Sequence, residues 1–245
     1  MASGNQTAPQ MSRLGIWRRK YFGPITQVRT QKPIAALTFD DGPGPEFTPL
    51  LLEVLERHQA KATFFVVGEA AQRHPQIVEA MAEAGHAVGN HSHTHCDFLT
   101  VPFDRQIREI RSCSQALGEY GEKIFRPPYG RENFASHLAA RSLGYRVVKW
   151  TISTGDWTGI SSDEIYQRMH SALRPGAIIL LHDSSAKTPS ADRSPTIAAV
   201  DRLLREAADY DFVTVPELFA DGQPLSRPML NGRDLSQPTE RLQSV

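Results

Sequence analysis

Short apolar runs alternate with amphipathic stretches along the central part of the chain. Runs rich in β-branched and aromatic residues predict seven strands, at residues 34–39, 62–67, 86–90, 123–126, 145–152, 177–182 and 212–215. Apolar residues at helical spacing predict helices at residues 48–58, 75–84, 102–120, 132–143 and 195–208. Strands that alternate with helices are typical of a parallel sheet with right-handed crossovers. The pattern therefore predicts one α/β domain.

Two adjacent carboxylates, Asp40 and Asp41, follow the apolar run at 34–37 and precede Gly42 and Pro43. Neighbouring carboxylates repel each other, so burying both requires a cation or an arginine, as metal sites and acid–base sites provide. A strand-end turn in which one Asp caps a helix and the other is solvated explains this segment equally well, because Asp-Gly-Pro is common in turns.

Three histidines, His91, His93 and His95, lie within five residues directly after the apolar run at 86–90. Two imidazoles and one carboxylate leave coordination positions open for water and substrate, which is typical of a catalytic metal site. A structural zinc site more often has four protein ligands, commonly including cysteines. The cluster therefore favours catalysis over a structural metal or three idle histidines.

These two segments resemble the first two motifs of the polysaccharide deacetylase family, carbohydrate esterase family 4, also called the NodB-homology domain. Three further motifs follow in order: Arg-Pro-Pro-Tyr-Gly at 126–130, Asp-Trp at 156–157 and Leu-Leu-His-Asp at 180–183. Five motifs in the right order make the resemblance specific, and it covers residues 33–219. One departure is Ser153, where the family often has an aspartate. With the seven strands, the resemblance implies a distorted (β/α)7 barrel rather than an open doubly wound sheet.

The resemblance implies a role for each motif residue. Asp41, His91 and His95 would hold a divalent metal, expected to be zinc, with cobalt or nickel also accepted by such ligands. Asp40 would be the catalytic base, and Arg126 would keep it charged and fixed in direction. For Arg126, a surface salt bridge of little value is the alternative.

The remaining motif residues would serve the leaving group and the acetyl group. By resemblance, His182 would be the general acid that protonates the departing amine, and Asp156 would orient it. The backbone N–H of Tyr129 would stabilise the oxyanion, and Trp157 and Leu180 would wall the pocket for the acetyl methyl. For those last two residues, ordinary core packing is nearly as good an explanation. The motif residues fall at or just after predicted strand ends, as barrel active sites do.

By resemblance, the chain is a metal-dependent hydrolase that removes acetyl groups from N-acetylglucosamine saccharides of the chitooligosaccharide or peptidoglycan type. Three alternatives stay open: an O-acetyl esterase acting on acetylated xylan or a similar polymer, a noncatalytic sugar-binding relative, and a two-histidine-one-carboxylate iron enzyme. The binding protein is disfavoured because no presumed catalytic residue is missing. The iron enzyme is disfavoured because Asp41 precedes His91 by about fifty residues.

Composition limits the partners. The chain has 245 residues, 40% of them hydrophobic, which is enough for one sizeable core. Its 27 basic and 27 acidic residues give no net field that favours nucleic acid or an anionic membrane. We expect a monomer whose partner is an acetylated saccharide. Cys96 and Cys113 are expected to be free thiols, and His93 is expected to face solvent.

The two ends carry less information. Residues 1–32 contain several arginines and lysines and no acidic residue, and we interpret them as a basic N-terminal arm. They lack the continuous apolar segment of a signal peptide or membrane anchor. As written, the chain is expected to be cytoplasmic, although chitin and peptidoglycan lie outside the cell. The deacetylase domain is expected at 33–220 and a polar, poorly ordered tail at 221–245.

Overall fold

A curled sheet of parallel strands forms the centre of the structure, a computed structural model that describes residues 23–226. Seven strands pair in the order β6-β5-β4-β3-β2-β8-β7, and β9 pairs with the start of β2. The strands are β1 (Ile25–Arg29), β2 (Ile34–Asp40), β3 (Ala62–Val66), β4 (Ala87–Asn90), β5 (Gly121–Phe125), β6 (Arg146–Val147), β7 (Ile152–Ser153), β8 (Ile178–His182), β9 (Asp211–Phe212) and β10 (Gln223–Ser226). The predicted distorted α/β barrel is confirmed.

Eight helices of the described residues pack around the sheet. They are α1 (Phe47–Arg57), α2 (Gly68–Arg73), α3 (Pro75–Glu83), α4 (Phe103–Leu117), α5 (Phe134–Ser142), α6 (Ser162–Ala172), α7 (Ser194–Glu206) and α8 (Val215–Asp221). The five predicted helices are found within a few residues of their expected bounds. The sequence did not predict α2, α6 or α8. Helix α6 buries only Ile165, Tyr166 and Met169, which is a weak apolar pattern.

The single strand predicted at 145–152 is wrong. This stretch contains β6 and the first residue of β7, and these two strands lie at opposite edges of the sheet. Between them, the N–H of Lys149 donates to the carbonyl of Ile25 at 2.8 Å, and the N–H of Thr151 donates to the carbonyl of Ile178 at 2.8 Å. The stretch therefore spans the gap in the barrel, and its apolar composition reflects burial rather than one continuous strand.

Strands β1 and β10 form a separate antiparallel pair that the sequence did not predict. They lie within the segments interpreted as a basic arm and as a polar tail, so part of each segment has regular structure. Residues 1–22 and 227–245 lie outside the described residues, and the proposed domain boundaries stay a prediction. Between residues 23 and 226, no helix combines the length and the apolar character needed to cross a bilayer.

The pleat of β2 explains where the site forms. Successive side chains of a strand point to opposite faces. Leu37 and Phe39 pack in the core between sheet and helices, whereas Ile34 and Ala36 belong to a second cluster on the inner face. Asp40 continues the inner row at the carboxyl end of the strand. A buried carboxylate is thereby placed inside the mouth of the barrel.

Candidate active site

The polar residues predicted from the motifs meet at the carboxyl ends of four strands. Asp40 and His182 are the last residues of β2 and β8, and they are direct neighbours in the register of these two strands. His91 and Arg126 follow the last residues of β4 and β5. The carboxyl ends of neighbouring parallel strands lie at the same rim of the sheet, which explains why residues distant in sequence converge here.

Asp41, His91 and His95 form a group that could hold a metal ion. One possible ligand atom from each lies within 4.8 Å of the others. The Oδ1 atom of Asp41 is 3.0 Å from Nε2 of His95 and 3.4 Å from Nε2 of His91. These are the three residues that the sequence singled out as ligands.

A left-handed backbone at Asp41 brings two neighbouring carboxylates to one site. In a regular strand, residues 40 and 41 would point to opposite faces. Asp41 has φ = 76°, which turns its side chain back toward the histidines, and His95 has φ = 54°. A residue with a Cβ adopts this conformation at a cost of about 1–2 kcal/mol. Such strain persists only where the surroundings hold it in place.

The donor atoms of this group suit a cation. Nδ1 of His91 lies 2.8 Å from the carbonyl oxygen of Arg126 and must donate to it, because a carbonyl only accepts. In the neutral ring, the lone pair of Nε2 therefore faces Asp41. Burial alone would raise the pKa of Asp41; when the rings of His91 and His95 are instead protonated, they donate to Asp41 and hold its pKa well below the ordinary value. A carboxylate and the ring lone pair of His91 beside a second imidazole fit a divalent metal.

Asp40 is held by a fully buried arginine. Nη1 of Arg126 donates to Oδ1 of Asp40 at 2.7 Å and to Oγ1 of Thr38 at 2.8 Å. The other guanidinium nitrogens donate to the backbone carbonyls of Val148 and Lys149 at 3.3 and 3.0 Å. The other carboxylate oxygen, Oδ2 of Asp40, lies 3.8 Å from His91. One oxygen of Asp40 is thus anchored, and the other is directed toward the metal-ligand group.

We expect Arg126→Ala to lower the free energy of unfolding by about 3–5 kcal/mol, because it leaves the buried Asp40 without its cation. Urea denaturation at neutral pH measures this loss. The matched control is Arg57→Ala, which removes a 61% exposed arginine paired with Asp201 and should cost no more than about 1 kcal/mol. Equal losses in the two variants would contradict the role assigned to Arg126.

His182 and Asp156 form a second buried pair. Nδ1 of His182 lies 2.9 Å from Oδ1 of Asp156, and the His182 backbone N–H donates to Oδ2 at 2.8 Å. Burial alone would lower the pKa of His182, but the charge and hydrogen bond of Asp156 raise it above the ordinary value. Burial alone would raise the pKa of Asp156, but His182 lowers it. The pair therefore favours a protonated imidazole beside an ionised carboxylate.

The three residues predicted for the oxyanion and the acetyl pocket lie beside these groups. The ring of Tyr129 packs edge-on against His95 at 4.6 Å, and Trp157 packs edge-on against His182 at 5.1 Å. Both aromatic side chains are more than 40% exposed. Leu180 is buried and, two residues before His182 on β8, shares its inner face. The aromatic rings flank the site from two sides.

Several contacts of the site were not found from the sequence. The hydroxyl of Thr196 donates to Oδ2 of Asp156 at 3.0 Å, and that of Thr154 to Oδ1 at 3.2 Å. Asp156 is therefore well supplied with donors although Ser153 replaces the family's aspartate. The N–H of Ala186 donates to Oδ2 of Asp41 at 3.2 Å. No local pattern marks these residues, because they reach the site only through the tertiary fold.

The expectation that His93 faces solvent is wrong. Its side chain is partly buried, and its Nδ1 atom is shielded from water. The ring lies so close to Gly68 that a Cβ at that position would be 2.3 Å from Nδ1. His93 therefore packs against the start of helix α2 at Gly68.

The two cysteines are free thiols, as predicted. Burial, aided by the charge of Glu109, raises the pKa of Cys96 to about 11, and burial raises that of Cys113 to about 12. A thiol with so high a pKa is a poor nucleophile at neutral pH. Neither cysteine has the properties of a catalytic residue.

A groove leads away from the metal-ligand group. It starts at Asp41 and His95 and runs between helix α2 and the loop that follows β8. Its walls combine prolines with charged and hydroxyl side chains: Pro43, Pro45, Glu69, Arg73, His74, Ser184, Ser185 and Pro189.

Comparisons with known proteins agree with this geometry. The family profile described as polysaccharide deacetylase matches residues 27–148. A peptidoglycan-N-acetylglucosamine deacetylase of Bacillus cereus is 37% identical over 83% of this chain and 74% of its own length. A chitooligosaccharide deacetylase of Sinorhizobium fredii is 36% identical over 79% of this chain and 94% of its own.

A solved structure gives the same result at the level of the fold. The crystal structure of the Bc1960 peptidoglycan N-acetylglucosamine deacetylase has a TM-score of 0.77 and is 32% identical, covering 86% of this chain and 98% of that one. Together with the five motifs gathered at one rim of the sheet, these similarities show that the chain belongs to the polysaccharide deacetylase family.

Proposed function

We propose that this chain removes acetyl groups from N-acetylglucosamine saccharides of the peptidoglycan or chitooligosaccharide type in a metal-dependent hydrolysis. The observation that carries the proposal is that the three-residue ligand group lies beside two polar pairs, Asp40 with Arg126 and His182 with Asp156, at the same strand ends. Amide hydrolysis needs a base for the water and an acid for the departing amine, and the two pairs supply them. Relatives named as deacetylases of these saccharides support the substrate class.

Asp41, His91 and His95 would hold the metal, for which we propose zinc, with cobalt or nickel as substitutes. When bound, such an ion polarises an acetyl carbonyl and makes a water molecule more acidic. The two histidines and the carboxylate leave room for further ligands, as catalytic sites do.

Asp40 would act as the base. Its Oδ1 atom is held by Arg126 at 2.7 Å, so Oδ2 is the oxygen that takes the proton of the attacking water. The guanidinium is always charged and pairs with Asp40 in a buried contact, so it fixes the direction of the carboxylate. A fixed carboxylate loses little freedom when it accepts the proton.

His182 would act as the acid. Its Nδ1 atom is engaged by Asp156, which leaves Nε2 as the atom that donates a proton to the departing amine nitrogen. The backbone N–H of Tyr129 would donate to the oxyanion of the tetrahedral intermediate. The left-handed conformation of Tyr129, with φ = 58°, sets the direction of the backbone there.

We expect metal-stripped protein to release no acetate from N-acetylglucosamine oligomers and to recover its activity when zinc is added. Acetate release is measured with and without zinc, and acetylated xylan serves as a parallel substrate. His91→Ala should not respond to zinc, whereas His170→Ala, which removes an exposed histidine of α6, should behave like the wild type. Release from xylan alone would identify an O-acetyl esterase, and zinc binding without release from either substrate would contradict the proposed activity.

A further inference from the structure

Asp183 is the one polar residue of the fifth motif to which neither the sequence nor the proposed mechanism gives a role. It follows His182 at the end of β8, and its side chain is 1% exposed. Its Oδ2 atom accepts a hydrogen bond from Oγ1 of Thr48, and Oδ1 has no partner among the described residues. A carboxyl group buried this deeply needs a structural or functional reason, because desolvation disfavours its charge.

The carboxyl group of Asp183 lies directly against the turn that carries the metal ligand Asp41. A Cβ added at Gly42 would lie 2.1 Å from Oδ2 of Asp183, so only a glycine leaves room for it. Thr48 extends the contact, because its hydroxyl also accepts a hydrogen bond from the N–H of Gly44 at 2.8 Å. Asp183 and Thr48 thus hold residues 42–44 from the side of β8 and α1.

This turn fixes the direction of Asp41. Asp41 adopts a left-handed backbone that a residue with a Cβ rarely maintains without support. The same segment after β8 supplies a second contact, since the N–H of Ala186 donates to Oδ2 of Asp41 at 3.2 Å. The residues that follow His182 therefore contact both the turn after the ligand, at Gly42, and the carboxylate of the ligand.

We propose that Asp183 is a positioning residue that keeps Asp41 in the conformation required to bind the metal. It does so by packing, from the end of β8, against the turn that follows β2. The inference rests on the metal site of the proposed function. It assigns Asp183 no contact with substrate. Its effect acts through Asp41, so metal affinity is the property that should change.

The test measures zinc affinity of the metal-free full-length protein by competition with a chromophoric zinc chelator. Asp183→Ala should weaken zinc binding by about 10- to 100-fold, the range found when a group that orients a metal ligand is removed. Asp183→Asn should stay within about threefold of wild type, because its amide oxygen still accepts from Thr48 and fills the same space.

Two further variants separate positioning from general stability. Leu203→Ala truncates a fully buried residue of α7 in the main core and should lower the melting temperature without changing zinc affinity. Thr48→Val keeps the side-chain volume and removes both hydrogen bonds, so it should weaken zinc binding in the same direction even if Asp183→Ala fails to fold.

The proposal is overturned if Asp183→Ala and Thr48→Val both bind zinc as tightly as wild type, or if Asp183→Asn is as weak as Asp183→Ala. A wild-type protein that binds no zinc would overturn the proposed function together with this inference. Normal zinc binding by the wild type and by all the variants would overturn the inference alone.

Discussion

Asp40→Asn protein should bind zinc as the wild type does and release acetate about 100 to 10,000 times more slowly, the range expected when a general base is lost. The substitution removes the negative charge but keeps the oxygen that accepts from Nη1 of Arg126 at 2.7 Å. The side chain should therefore stay in place. The amide cannot take a proton from water, so turnover falls while the ligand group stays intact.

Zinc content after dialysis and acetate release from an N-acetylglucosamine oligomer measure the two properties separately. The matched variant is Asp41→Asn, which should lose zinc and activity together, because Asp41 lies 3.0 Å from His95 and 3.4 Å from His91. Loss of zinc in Asp40→Asn would show that the roles of the two aspartates are reversed.

The adjacent position of these aspartates illustrates what the sequence could predict. The apolar run before Asp40 predicted a buried strand, and motif residues at strand ends predicted that Asp40, His91, Arg126 and His182 converge. The carboxyl ends of parallel strands lie at one rim of the sheet, so the strand ends, read together with the family resemblance, placed these residues. The left-handed backbone that brings Asp41 into the same site was not predicted, since Asp-Gly-Pro is compatible with several turns.

Other features depend on tertiary structure. The apolar stretch at 145–152 is buried throughout most of its length, but periodicity does not show that its two halves pair at opposite edges of the sheet. Arg126 donates to two backbone carbonyls, which any residue could supply, so no residue type marks them. The contact between Asp183 and Gly42 joins residues about 140 positions apart, and it appears only when β2 and β8 pair.

His182→Ala should slow N-deacetylation by about 100- to 10,000-fold, because the amine then leaves without a proton donor. The same variant should lose less activity on an acetate ester, since an alcohol leaves more easily than an amine. Acetate release from an N-acetylglucosamine oligomer and from a small acetate ester compares the two reactions. The exposed His170→Ala serves as the control. Equal losses on amide and ester would contradict the role of His182 as the acid for the leaving group.

Asp156→Asn should shift the alkaline limb of the pH profile of acetate release to lower pH. In the wild-type protein Asp156 raises the pKa of His182, so the protonated acid persists to higher pH. Because the pKa of Asp156 is itself lowered, its charge is present throughout the neutral range. Removing that charge lowers the pKa of His182, so the fraction of protonated imidazole falls first on the alkaline side. Activity should therefore decline most at high pH and least at low pH.

The pH profile distinguishes this electrostatic effect from a loss of orientation. An imidazole that is merely misplaced is equally ineffective at every pH, which lowers the whole profile without moving its limb. Rates of acetate release from about pH 5 to pH 10, with zinc saturating, separate the two effects. A lowered profile with an unmoved limb would mean that Asp156 acts only through its hydrogen bonds to His182, at 2.9 Å to the ring and 2.8 Å to the backbone. An alkaline limb that shifts to lower pH would show that the charge of Asp156 keeps His182 protonated at the pH where the amine leaves.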